Sequence, residues 1–368
     1  MRVQIPAESL LWALIIGEVI RQGAFHAIES LVRSRARRAL AVARRFGDDA
    51  LAYFTERLDP STTRQALVQT VRRAKRNKAF ENTPRIGLAL DGTGAARSRK
   101  PRCPLCHPIL DSERHVIGHN HHFSAISIVG TRIVLPFDVE PYGPGDSEVA
   151  ASERLLERAV GQLGPRFADY VVADGLYAGA PFIHMAGRLG LRVVIRLKAN
   201  LPELLQAAQA RFADRAPSSI FECDRDRIEV WDADDFDPWE TLRWETVRVL
   251  YYRQHKPNGE VTEAYWLTDL RIKKVNARSL FRMAKSRWEI ENQGFNDAKS
   301  RHGLEHICHH HPNSLLMEWL LAMLALTIER LYRLRYLHRG THAVLAAVDL
   351  CRILWLSLSN PPRPANTS

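Results

Sequence analysis

From residue 8 to about residue 80, apolar residues recur three and four positions apart, the spacing that gives a helix one buried face. Gly47-Asp48-Asp49 and Asp59-Pro60-Ser61 punctuate this stretch, so the pattern predicts several helices within residues 1–83. After Pro84 the rhythm changes. Arg85–Leu90, Phe123–Val129 and Arg132–Phe137 are short runs rich in Ile, Val, Leu or Phe, each followed by turn residues, and they predict three strands. Glu148–Leu163 returns to helical spacing, Tyr170–Ala173 predicts a fourth strand, Pro181–Gly190 a helix and Leu191–Leu197 a fifth strand.

Three strands in succession followed by alternating helices and strands imply an α/β fold, a mixed sheet flanked by helices in ribonuclease-H-like order. Residues 84–218 then form the first part of that core. From Ser219 to Leu270 the pattern is β-type, with Val247, Val249 and Tyr251 on one face and Asn258-Gly259 as a hairpin turn, so 219–270 is expected to be a β-rich insertion. Residues 276–303 predict one long helix stopped by Gly303, and the segment 271–312 completes the core. Further helices are expected over 313–358, with a disordered, proline-containing tail at 359–368.

The 46% hydrophobic content of the 368 residues is enough for a sizeable core. The longest apolar stretches, Leu10–Gly17 and Leu315–Ile328 with Glu318 inside it, are too short for a bilayer, and a cytoplasmic protein is the expectation. Five cysteines, Cys103, Cys106, Cys223, Cys308 and Cys351, are too few and too unevenly spaced for a disulfide framework. The formal charge is +11, of which residues 1–83 carry +7, a balance that suits a polyanionic partner. Arg33, Arg35, Arg37 and Arg38, then Arg72, Arg73, Lys75, Arg76 and Lys78, would neutralise phosphates without reading sequence; a solvated helical face is the alternative.

Candidate chemistry begins with two aspartates. Asp91 follows Ile86-Gly-Leu-Ala-Leu90 and precedes Gly92-Thr93, which puts it at the end of a central strand; Asp174 follows Tyr170-Val-Val-Ala173 and precedes Gly175 in the same way. Two acids on one sheet rim repel unless a cation neutralises them. Mg²⁺ suits such a site, and a pair of ions about 3.5–4 Å apart serves in-line phosphoryl transfer. A third acid is available in Arg287-Trp-Glu-Ile-Glu291. At about 100° per residue the two glutamates lie roughly 200° apart, so Glu289 points away when Glu291 faces the site. Arg287, four residues before Glu291, shares its face and can steady that carboxylate or touch a DNA phosphate.

These residues resemble the DDE transposases of bacterial insertion sequences. The resemblance rests on Asp91 in Leu-Ala-Leu-Asp-Gly-Thr, Asp174 in Val-Val-Ala-Asp-Gly-Leu-Tyr-Ala, and Arg287-Trp-Glu-Ile-Glu291 through Phe295 and Lys299, and covers about Asp48 to Leu324. The subgroup is the one with a β-rich insertion before the catalytic glutamate and a signature of Tyr, two residues, Arg, three residues, Glu, six residues, Lys. Two departures stand out. Ala284 occupies the tyrosine position, and seven residues separate Glu291 from Lys299, a rotation of about 100° that a π-bulge would absorb. The resemblance implies metal-dependent cleavage at the ends of a mobile DNA element and strand transfer into target DNA. On that resemblance Asp91, Asp174 and Glu291 would hold Mg²⁺ or Mn²⁺ as a pair of ions, with Arg287 and Lys299 on DNA. It also implies terminal inverted repeats and target duplex as partners, a homodimer on paired ends, and a bacterial, nucleoid-associated location. A DNA-binding descendant without activity and a ribonuclease-H-like nuclease that cuts without joining are the rival readings.

Other constellations are open at this point. Cys103-Pro-Leu-Cys106-His107 has the c-type haem pattern, which requires an exported chain. Cys103 and Cys106 with His115, His119, His121 or His122 have the residue types of a structural Zn²⁺ site; a reduced, unliganded loop is the alternative. Trp231, Trp239, Trp244, Tyr251 and Trp266 would stack on an unpaired base or fill a small β core. The run His309-His310-His311, after the catalytic helix, reads as solvated, with an approach to phosphate as the alternative.

Overall fold

The structure is a computed structural model, and it describes residues 5–304, 308–337 and 346–359. The expected tail at 360–368 lies outside the described residues. The chain opens with helices α1 (Ala7–Val19), α2 (Phe25–Arg33), α3 (Ala36–Ala39), α4 (Asp48–Arg57) and α5 (Pro60–Arg76). Helix α5 begins where the Asp59 carboxylate accepts the Ser61 N–H at 2.9 Å, with Pro60 in the first turn, where its missing N–H leaves no bond unmade. The apolar stretch Leu10–Gly17 lies in α1 with Leu10, Ala13 and Leu14 buried, and no described helix is long and apolar enough to cross a membrane.

Next come β1 (Gly87–Ser98), β2 (Cys106–Leu110), β3 (Val116–Val129), β4 (Leu135–Tyr142), α6 (Glu148–Leu163), β5 (Tyr170–Ala173), α7 (Ala180–Arg188), β6 (Arg192–Leu197) and α8 (Pro202–Phe212). Strands β4, β3 and β1 are antiparallel neighbours, and β5 and β6 continue from β1 in parallel. The order β4-β3-β1-β5-β6, with helices on both sides, is the ribonuclease-H-like arrangement anticipated from the element order. Strand β2 shares the β3 edge with β4, pairing Cys106 with His121 where β4 pairs Tyr142 with His122.

The segment 219–270 forms β7 (Ser219–Cys223), β8 (Asp226–Phe236), β9 (Val247–His255) and β10 (Val261–Thr268). These strands do not stand apart from the core: β10 pairs antiparallel with β6, so one sheet of ten strands runs through core and insertion. The single helix expected over 276–303 is interrupted. It comprises α9 (Ala277–Lys285), the short turn α10 (Arg287–Glu289), a π turn at Ile290–Phe295 and α11 (Asn296–His302), ending at Gly303 with φ +70°. Helices α12 (Pro312–Tyr332) and α13 (Ala347–Ser359) follow.

Alternation divides the core. Leu88, Leu90, Val171, Ala173, Val193 and Ile195 pack on the side of α6 to α8, while Ala89, Val172 and Val194 face the other side with Leu280, Ala284 and Ile290 of the interrupted helix and much of α12. Where α12 packs on α1 two acids are buried: Glu18 on α1 and Glu318 on α12 itself. Burial pushes both carboxyls up, Glu318 well above the usual carboxylate range, with each other's charge adding to Glu318; His302 Nδ1 stands 3.4 Å from Glu18 as the facing base. The folded chain therefore holds more protons than the unfolded one above the ordinary glutamate pKa, and stability falls as pH rises through that range. Glu318→Gln is expected to melt higher than the parent at pH 8, by roughly 2–4 °C per kcal/mol recovered, with the gap closing toward pH 5. Melting curves across that range check it; a gap that does not depend on pH contradicts it.

Candidate functional site

Strands β1 and β5 pair Gly87, Leu88 and Ala89 with Tyr170, Val171 and Val172. Carried forward two residues, this register sets Asp91 level with Asp174 on strands about 4.8 Å apart. Alternation then turns both side chains to the face of Ala89 and Val172, which the helix carrying Arg287 and Glu291 covers. Asp174 does end its strand, and its carboxylate accepts the Leu176 N–H at 2.7 Å. Asp91 does not, contrary to the reading of Asp-Gly as a strand end. Strand β1 continues to Ser98 against the β3 template, Asp91 opposite Ala125, and what stops near Asp91 is the pairing with β5. The result is still a rim with one open side.

Arg287 connects the third acid to the first. Its Nη1 donates to Asp91 Oδ2 at 3.1 Å and its Nη2 to Glu291 Oε2 at 3.3 Å, from a side chain only 10% exposed. Of the two roles its spacing allows, steadying the carboxylates is the one whose contacts are present. Its Nε is buried without a hydrogen-bond partner. Glu289 points away and accepts the Gly130 N–H at 3.0 Å. The seven residues between Glu291 and Lys299 cross the π turn, and Lys299 emerges against β1, where its Nζ donates to the Gly94 carbonyl at 2.6 Å. Ala284, at the signature's tyrosine position, is buried in the core.

The acids do not all meet as they stand. Among the described residues, the carboxylate oxygens of Asp91, Asp174 and Glu291 are not mutually within 4.8 Å; the Arg287 guanidinium lies between Asp91 and Glu291, and Lys198 Nζ holds Asp174 Oδ2 at 2.8 Å. Two residues of this site escaped the sequence reading. One is Lys198, just after β6. The other is Glu148, at the start of α6, whose Oε1 accepts the Tyr177 hydroxyl at 2.9 Å. Gly92 makes room for it: a Cβ there would stand 2.0 Å from Glu148 Oε2.

Electrostatics follow from this crowding. Burial pushes the Asp91 carboxyl up to about 6; Arg287 opposes the rise, while Glu148, Asp174 and Glu291 reinforce it. Glu148 is raised by burial and by Asp174, against the Tyr177 hydroxyl bond. Burial works on Asp174 in the same direction, yet the Lys198 ammonium and the Leu176 N–H more than offset it and hold that carboxyl low. The four carboxylates, not gathered on one point but with Asp91 unfavourably charged, offer the hard oxygen donors that Mg²⁺ or Mn²⁺ takes.

The other candidates resolve unevenly. His107 stacks on His122 and its Nε2 contacts the Tyr142 carbonyl at 2.9 Å. Cys103 and Cys106 gather His121, while His115 sits with Asp111 and Glu113. Trp231, Tyr251 and Trp266 are buried packing residues. The three histidines are not a solvated run: His309 Nε2 contacts Glu56 at 2.8 Å, His310 stands beside His121, and His311 caps α12 through the Asn313 N–H. In the basic clusters, Arg37, Arg72 and Lys75 bind backbone carbonyls of this chain, whereas Arg35, Arg38, Arg73 and Arg76 are exposed. None of the five cysteines is in a disulfide.

Residues 83–328 match the family model described as transposase DDE domain. No curated protein matches the chain. Among solved structures, a cryo-EM structure of a piggyBac transposase synaptic complex with hairpin DNA is similar over 96% of this chain and 70% of that one, at 13% identity and a TM-score of 0.45.

Proposed function

Because the chain belongs to the transposase DDE domain family, we propose that it cleaves DNA at the ends of an insertion sequence and joins them to a target. Asp91, Asp174 and Glu291 hold the divalent metal in this reading. The observation that carries it is the shared register of Asp91 and Asp174, with Arg287 tying Glu291 to Asp91. When bound, a pair of Mg²⁺ or Mn²⁺ ions supplies charge neutralisation at the scissile phosphate and acidifies the attacking water or 3′-hydroxyl.

The chain's own groups do the rest. Arg287 holds two of the acids in place without metal, which keeps like charges together on an otherwise repulsive rim. Lys198 keeps Asp174 ionised and ready to bind a cation. Lys299 lies along β1 beside the rim, positioned to meet a phosphate of the bound strand. Exposed Arg35, Arg38, Arg73 and Arg76 provide sequence-independent duplex contacts, and paired DNA ends call for two copies of the chain.

Glu148 belongs to the same reading as a fourth carboxylate, aimed by Tyr177 and within electrostatic reach of Asp91 and Asp174. Glu148→Gln is expected to slow cleavage by roughly 10–100-fold, the size of an outer-sphere metal partner. Unchanged rates in single-turnover cleavage would remove it from the site.

The test of the function itself is a strand-transfer assay with Mg²⁺, using DNA that carries the inverted repeats flanking the coding region. Joined products support the proposal. Cleavage without joining identifies a nuclease, and binding without either identifies a DNA-binding descendant.

A further inference from the structure

We propose that Cys103, Cys106, His121 and His310 form a structural zinc site that clips the β2–β3 hairpin to the loop between α11 and α12. Three of the ligand atoms are already gathered. Cys103 Sγ and Cys106 Sγ are 3.8 Å apart, and His121 Nε2 stands 3.1 Å from the first and 3.3 Å from the second. All three atoms lie within 4.8 Å of one another. Two thiolates about 2.3 Å from a zinc ion at the tetrahedral angle are about 3.8 Å apart, and a disulfide would need about 2.05 Å.

The backbone is shaped for the same purpose. The Cys106 N–H donates to the Cys103 carbonyl at 3.2 Å, closing the turn between the two thiols, and the Arg102 N–H donates to Cys106 Sγ at 3.4 Å. Strand pairing sets Cys106 opposite His121, so the sheet itself brings the second thiol to the imidazole. Cys106 and His121 are buried and Cys103 is half-buried, which excludes the water that would compete for the ion.

His310 stands outside the three atoms gathered within 4.8 Å, next to His121, and closes on them to supply the fourth ligand. Its ring centroid is 5.7 Å from that of His121, and its Nδ1 is buried with no hydrogen-bond partner. A buried imidazole nitrogen beside a second histidine is costly unless something occupies it. The flanking histidines fix the segment from both sides, His309 on Glu56 of α4 and His311 on the first turn of α12, which leaves His310 as the one beside His121. Four ligands of the types Cys₂His₂ complete a closed structural site rather than a catalytic one. The hairpin it fastens includes β3, the strand against which Asp91 is paired.

Zinc content and affinity of the purified full chain test this independently of activity. One zinc per chain is expected, with tetrahedral thiolate bands on Co²⁺ substitution, and Cys103→Ser with Cys106→Ser should remove both. His310→Gln, a milder change at the edge of the site, should weaken zinc by at least roughly 10-fold in competition with a chromophoric chelator while the chain stays folded by circular dichroism. Asp91→Asn should leave zinc content unchanged, so failure of the zinc site and failure of the carboxylate site read out separately. A folded chain without zinc and unable to take up Co²⁺ overturns the proposal, as does a His310→Gln chain that binds zinc as tightly as the parent.

Discussion

Asp91→Asn is expected to lower the rate of DNA cleavage by more than about 10³-fold, roughly 4 kcal/mol of transition-state stabilisation, while leaving the chain at least as stable as before. The two halves of that expectation have one cause. Asp91 is half-buried among Glu148, Asp174 and Glu291, and its carboxyl is pushed up to about 6, so near neutral pH the folded protein carries a charge it would rather not hold. On the proposed function, such a charge is retained because a cation uses it. Asparagine keeps the shape and one acceptor oxygen for Arg287 but removes the charge that draws a divalent ion. Single-turnover cleavage and a melting curve on the same preparation check both halves: an active variant, or an inactive one that has lost several degrees, contradicts the assignment.

Arg287→Ala is expected to be the most destabilising change at the rim, on the order of 3 kcal/mol, because it leaves Asp91 partly buried and unpaired. The half-exposed Glu291 adds little to that figure, since water screens it. If the guanidinium holds the place that metal shares, Mg²⁺ or Mn²⁺ should raise the melting temperature of Arg287→Ala more than that of the parent. Arg287→Lys should fall between, since one ammonium cannot reproduce a fork that reaches two carboxylates. Thermal melts with and without the ion decide it, and an equal shift in both proteins would mean that Arg287 and the metal act on different groups.

Local pattern carried much of the fold. Tyr170–Ala173 is a strand at both of its expected boundaries because four consecutive apolar residues between Asp169 and Asp174 leave no other place to turn. The pattern could not show that β1 runs on past Asp91, since Gly92 and Gly94 argue against a strand and only the long β3 partner holds them in one. Strand β2 was missed for a related reason: Cys106-His-Pro-Ile-Leu110 is short and has a proline at its centre, and it pairs with β3 at the sheet edge. The appended strands β7 to β10 read correctly as β structure, but their junction with β6 is a long-range pairing that periodicity cannot encode.

The site divides along the same line. Arg287 and Glu291 were legible because one helical turn of separation sets them on one face. Glu148 reads in sequence as an ordinary acid in the first turn of a helix capped by Ser147, and only the approach of Gly92 and Tyr177 gives it a second meaning. His310 lay in a run that looked solvated, because His121, the ring it stands beside, comes far earlier in a chain whose contacts are set by the sheet.

The most direct measurement is affinity cleavage by Fe²⁺ bound in place of Mg²⁺, with ascorbate and peroxide generating radicals at the metal and the cut sites mapped along the full chain. The account predicts cuts in all three segments around Asp91, Asp174 and Glu291, suppressed by excess Mg²⁺ and absent in Asp91→Asn. Cuts confined to one of those segments, or a pattern indifferent to Asp91, would show that the three acids do not share an ion.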